Sequence, residues 1–219
     1  MNGKSDGTPL ALTLAVGTRQ AAKLQTRQRV SEAARVLFAA HGLADTTAQQ
    51  IAAEAQVAVG TLFQHASDKE DLLLLVLHDP LAEAIRTAVA QPPSSDALTD
   101  ATVLFGSVLE VYADMERAAR AAVRAQWFGV GPNARAVQWL YENFLEQVVA
   151  RLQRAQHAGA LATGADARRL AGNLSGLYQG VLLDWLWADE PLENAIVKLR
   201  EAFALQLIPL QTTAPGDTA

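Results

Sequence analysis

Apolar residues recur with a helical period almost throughout this 219-residue chain, and no stretch alternates apolar and polar as a half-buried strand would. Val30, Ala33, Ala34, Leu37 and Phe38 keep the i, i+3, i+4, i+7, i+8 spacing of one helical stripe, which predicts a helix over 27–40. "HGL" closes it, because Gly42 can take a positive φ without a Cβ penalty. Thr47 with Gln50 three residues on is a capping-box pattern, so a second helix starts there. It turns Ile51, Ala52 and Ala55 inward and stops near Gln56. A short third helix follows over 59–65. Ser67 with Glu70 repeats the capping pattern and opens a fourth helix through "DKEDLLLLVL", which Pro80 kinks or ends.

"QPPSSD" at 91–96 reads as a turn and a boundary. Beyond it, helices are expected over 97–113, 115–128, 133–158, 166–188 and 192–208, separated by "FGVGPN", "HAGALATGAD" and "DEP". The fold class is therefore all-α, a small N-terminal bundle followed by a larger C-terminal one. Residues 10–16, "LALTLAV", are too few to span a bilayer, and the basic start is weak for a signal peptide, so 1–22 is expected to be a flexible tail. Residues 211–219 are expected to be a disordered tail. Between them lie an N-terminal domain at 23–72 and a C-terminal domain at 73–210.

Half of the residues are hydrophobic and none is cysteine, which excludes a disulfide scaffold and a thiolate metal site and fits a reducing cytoplasm. The four histidines (41, 65, 78, 157) lie far apart, with no HxxxH or HExxH spacing for a metal. No GxSxG elbow, GxxxxGK[ST] loop or GxGxxG turn is present, so an enzyme is not expected, nor a cofactor. The net charge of −5 argues against a generally basic coat. Yet residues 1–50 hold six basic side chains against three acidic, while 79–219 hold eleven against sixteen. An anionic partner should meet the N-terminal end.

Two short helices joined by a tight turn and held by an amphipathic helix make a helix-turn-helix, whose second helix enters the DNA major groove. Thr61, Gln64 and His65 are expected to point away from the apolar side made by Val57 and Leu62. Thr47 and Lys69 sit where helix N-termini could hold a phosphate, and Arg29 could reach the DNA backbone. The DNA-contacting set is thus Arg29, Thr47, Thr61, Gln64, His65 and Lys69.

These same residues carry a resemblance. "AARVLFAAHGLADTT" followed by "IAAEAQVAVGTLFQHASDKEDLL" resembles the DNA-binding domain of the tetracycline-repressor (TetR) family over residues 27–73. The resemblance implies an all-α homodimer that represses transcription and is released from a palindromic operator by a small molecule bound in the C-terminal domain. It departs from the family pattern at Gln56 for a turn glycine, Ala58 for a capping serine, Phe63 for tyrosine and Ala66 for phenylalanine. These departures motivate the alternative of a family member with weakened DNA contacts that acts in ligand sensing or protein interaction. Gln126, Trp127, Phe128, Trp139, Phe144, Asn173 and Tyr178 are the candidates for lining a largely apolar effector site. The resemblance further implies that helices 166–188 and 192–208 pair with their copies, and the small residues of "NLSGLYQG" suit close helix approach.

Overall fold

A computed structural model describes residues 9–115, 118–188 and 190–211, with side chains from residue 19 onward. Among the described residues are nine α-helices, a 3-10 turn and no strand beyond one isolated antiparallel bridge, Leu161 with Gln211. Helix α1 spans Pro9–Asp45 and is broken at Gly42, whose φ of 77° and ψ of 173° only glycine adopts freely. The helix expected over 27–40 thus reaches upstream to Pro9, and residues 9–22 are helical where a flexible tail was expected. Residues 19–25, "RQAAKLQ", are strong helix formers but are all exposed, so propensity and not burial shapes them and they leave no stripe to read. The rest of that tail, residues 1–8, and the C-terminal stretch 212–219 lie outside the described residues. Gln211 itself is held, its Nε2 donating to Asp96 Oδ1 at 3.0 Å.

Helices α2 (Ala48–Glu54) and α3 (Val59–Leu62) follow, then α4 (Lys69–Ala90). The N-cap of α4 is Asp68, whose carboxylate accepts from Asp71 N at 2.7 Å, and not the expected Ser67 with Glu70. An ionised carboxylate is the stronger acceptor for a helix N-terminus, so the frame shifts by one residue. Pro80 neither ends α4 nor leaves it capped there: the helix continues to Ala90, with the Val76 carbonyl deprived of the ladder bond proline cannot donate. Burial explains this tolerance. Leu72 to Leu77 are all at most 5% exposed, a helix apolar all round, packed among α1 and the three helices of the C-terminal domain that touch it. The boundary expected between 72 and 73 therefore falls inside a continuous helix.

The C-terminal bundle comprises α5 (Ala97–Ala113), α6 (Ala119–Phe128), α7 (Pro132–His157), α8 (Ala167–Ala188) and α9 (Leu192–Leu207). α5 runs through its centre. Phe105 is fully buried and meets Phe144 of α7, Tyr178 of α8 and Phe203 of α9 at centroid separations of 5.0, 5.3 and 5.2 Å. Each such aromatic pair adds about 0.5–1.5 kcal/mol beyond area burial. Gly106 lets α9 come close, since a Cβ there would lie 3.3 Å from Ile196 Cδ1.

One group in this core is not provided for. The Tyr178 hydroxyl is buried and has no hydrogen-bond partner among the described residues. A buried unpaired hydroxyl costs about 1–3 kcal/mol. Tyr178→Phe is therefore expected to raise stability by about 1 kcal/mol in chemical denaturation, and a loss of stability would show that the hydroxyl has a partner in solution.

Candidate nucleic-acid interface and the junction behind it

The α2–α3 unit is built from the bottom by three devices. Thr46 is fully buried, and its hydroxyl donates to the Gly42 carbonyl at 2.7 Å, pinning the chain as it leaves α1. Thr47 caps α2: Gln50 N donates to its Oγ1 at 3.2 Å, while its own N donates to Gln50 Oε1 at 2.8 Å, the expected capping box. The turn then closes as a Schellman motif, with Gln56 N donating to Ala53 O at 3.1 Å and Val57 N to Ala52 O at 2.9 Å. This motif demands a positive φ at its penultimate position, and Gln56 takes φ 54°, the one positive-φ non-glycine among the described residues. Gln56→Gly should relieve that strain by about 1 kcal/mol, read as a higher thermal midpoint; an unchanged or lower midpoint would refute the strain.

α3 starts at Ala58, which supplies no side-chain cap. Ile51, Ala52, Leu62 and Ala66 are buried against Val30, Ala34 and Phe38 of α1. Thr47, Ala58, Gly60, Phe63 and Gln64 are among the outward residues, with Thr61 half-buried beside them. Nothing lies within 4 Å of a Cβ built on Gly60, so this face is open to close approach. Arg29, on the exposed side of α1, is also outward.

Two expected contacts sit elsewhere. His65 does not point to solvent: it is 7% exposed, because the chain after α3 turns back under the domain. Burial, with Arg27 and Lys23 nearby, lowers its pKa and favours the neutral ring. Lys69 is no free ammonium at a helix N-terminus. Its Nζ donates to Thr46 O at 2.9 Å and Ala44 O at 3.2 Å, bracing the α1–α2 turn. The N-terminus of α4 is moreover ringed by Asp68, Glu70 and Asp71, which repel a phosphate.

Behind this face lies a junction that periodicity did not announce. Asp71 and Asn133 are 3% and 2% exposed. Asp71 Oδ1 accepts from Asn133 N at 2.9 Å and Ala134 N at 3.1 Å, the first amides of α7. Its Oδ2 accepts from Ser67 N at 2.9 Å and Asn133 Nδ2 at 3.0 Å. Asn133 Nδ2 also donates to the His65 carbonyl at 2.9 Å, and its Oδ1 accepts from Arg27 at 3.2 Å. One buried amide thus ties α1, the end of the α3 turn and α4 to α7. Its signals in the sequence were faint: one carboxylate leading a leucine run, and an asparagine after a helix-opening proline.

The comparisons with known proteins agree with this architecture. A model of bacterial regulatory proteins of the tetR family matches residues 31–76. The HTH-type transcriptional regulator HbdR of Aromatoleum sp. (strain CIB) is 40% identical over 57 residues, 26% of this chain, and the match spans 25% of that relative's length. A solved structure described as a tetR family transcription regulator from Shewanella sp. PV-4 is 25% identical, with a TM-score of 0.53 over 86% of this chain and 99% of that one. Residues 31–76 are thus similar to the DNA-binding region of the tetR family, and the chain shares that family's fold. The same fold is shared by SmeT, the repressor of the Stenotrophomonas maltophilia multidrug efflux pump SmeDEF, at 22% identity, with a TM-score of 0.57 over 89% of this chain and 98% of that one. The fatty acid degradation regulator FadR from Bacillus halodurans shares it too, at 17% identity, TM-score 0.60, over 81% and 94%.

Of the residues expected to line one effector site, Phe144, Tyr178 and, through Tyr112, Gln126 meet at the buried aromatic core of the C-terminal bundle, while Trp127, Phe128, Trp139 and Asn173 stand at the surface. Phe144 and Tyr178 belong to the aromatic core around Phe105. Gln126 accepts from the Tyr112 hydroxyl. Trp139 is 63% exposed on α7, and Asn173 is exposed on α8 beside Gln206. Trp127 and Phe128 stand together at the end of α6, 52% and 79% exposed. The four surface residues are spread over the end of α6, the first half of α7 and α8.

Proposed function

We propose that the chain is a sequence-specific DNA-binding transcriptional regulator, acting as a homodimer in the cytoplasm and most simply as a repressor released by a small molecule. The capped and Schellman-closed α2–α3 unit, with Thr47, Thr61 and Gln64 outward, is the observation that carries the reading. Thr61 and Gln64 are assigned to base edges, and Thr47 and Arg29 to phosphates. His65 and Lys69 are left as struts. A single recognition helix reads few base pairs, so two copies on half-sites about 34–36 Å apart are needed. The outer side of α8 and α9 supports pairing: Val197, Leu205 and Ile208 are 55%, 78% and 55% exposed, and Cβ atoms built on Gly172, Gly176 and Gly180 meet nothing within 4 Å. None of the described helices is long and apolar enough to cross a membrane.

The alternative, a family member with weakened DNA contacts acting in ligand sensing or protein interaction, draws on the strained Gln56, the uncapped Ala58 and the engaged Lys69. Selection of genomic fragments by the immobilised protein, followed by sequencing, separates the two. Enrichment of a two-fold symmetric site, lost in a Thr61→Ala, Gln64→Ala variant, is expected. Fragments indistinguishable from the input would overturn DNA regulation.

A further inference from the structure

A groove of about 990 Å³ opens between the two domains. One wall belongs to the DNA-binding domain: the His41–Ala44 break after α1, and Lys69 and Glu70 of α4. The other belongs to the C-terminal domain: α6 from Arg120 to Phe128 and the end of α8 at Leu183, Leu186 and Trp187. The volume suits a drug-sized molecule. Three large aromatics there have little protein to touch, Trp127 at 52%, Phe128 at 79% and Trp187 at 73% exposure. The polar lining is mostly cationic, with Lys69, Arg120 and Arg124 against a single carboxylate, Glu70.

Two of those cations are placed to receive an anion. The Arg120 guanidinium lies 5.0 Å from the Trp187 ring centroid. Its Nε donates to the Leu186 carbonyl at 2.7 Å, which leaves both terminal nitrogens without a partner among the described residues. Arg124 spans the groove to Glu70 in an exposed ion pair, 63% and 47% solvent-accessible at the two side chains. Such a pair is weakly held and exchangeable.

We infer that this interdomain groove is the effector site and takes an aromatic or acyl carboxylate, its apolar body against Trp127, Phe128 and Trp187 and its anionic head between Arg120 and Arg124. The head replaces Glu70 on Arg124 and so removes the ion pair that ties the first turn of α4 to α6. The ligand favours the state in which that link is open, and it shifts the equilibrium by that difference in affinity. This inference rests on the regulator reading above for its consequence, but not for the binding itself.

Calorimetric titration of the full chain with 2-naphthoate, and in parallel with the neutral 2-naphthylmethanol, tests it without DNA. Binding of the carboxylate at least about tenfold tighter than the alcohol is expected, a difference of about 1.4 kcal/mol. Trp187→Ala and Arg120→Gln, both at the surface, should each weaken it severalfold with unchanged melting, whereas Trp139→Ala, on α7 outside the groove, should not. No binding at millimolar carboxylate, equal binding of the alcohol, or undiminished binding in both groove variants would overturn the site. So would a dimeric wild type that becomes monomeric as Trp187→Ala, since a second copy would then cover the groove. A failed fragment selection leaves this titration untouched, so the two readings fail separately.

Discussion

Asp71→Ala is expected to destabilise the chain by about 3–5 kcal/mol, a large share of the roughly 5–15 kcal/mol typical of a folded domain. The carboxylate accepts from Ser67 N, Asn133 N, Ala134 N and Asn133 Nδ2 at distances of 2.9–3.1 Å. Removing it strands the buried N–H groups of Asn133 and Ala134, each costing about 1–3 kcal/mol. Asp71→Asn keeps an acceptor on one oxygen and should lose less. Gly131 enforces the same geometry, because a Cβ there would sit 2.2 Å from Asp71 Oδ1. Urea denaturation of both variants measures the loss. A change below about 1 kcal/mol for the alanine variant would mean that the network contributes no more than ordinary surface polarity.

Arg151→Met carries the second large expected effect, about 3 kcal/mol or more. Arg151 is 6% exposed. Its Nη1 donates to Asp100 at 3.1 Å, and its Nη2 donates to the carbonyls of Val89 and Gln91 at 2.8 and 2.5 Å. Those carbonyls are at the end of α4, where the helix dipole favours a cation. Methionine fills the space but leaves Asp100 and both carbonyls without that donor. The matched control is Arg168→Met, whose bidentate pair with Glu146 is exposed at 70% and 53%, and whose loss should be far smaller than that of Arg151→Met. Equal losses in the two variants would refute the distinction between a buried anchor and a solvated pair.

What could be read in the sequence was whatever repeats locally. The Thr47 capping box, the positive φ of Gly42, the strain at Gln56 and the span of α5 all follow from contacts within four or five residues. Residues 19–25 of α1 escaped because their helix rests on propensity without an apolar stripe. The surroundings of His65 and Lys69 could not be read from local spacing, because partners elsewhere set them: for Lys69, carbonyls more than twenty residues away. The Asp71–Asn133 lock joins residues 62 positions apart, and Arg151 reaches back 51 to Asp100. No local pattern specifies such pairs. The interdomain groove belongs with them, being a property of how α1, α4, α6 and α8 are held and not of any one helix.

The most direct test of DNA recognition is fluorescence anisotropy on a selected operator duplex, with an unrelated duplex of equal length beside it, across a salt series. Tighter binding to the operator, with an affinity that falls steeply as salt rises, is the expected result, since each neutralised phosphate contributes about −0.9 to the slope of log K against log salt. Equal affinity for the two duplexes, or binding insensitive to salt, would contradict recognition of DNA through the α2–α3 face.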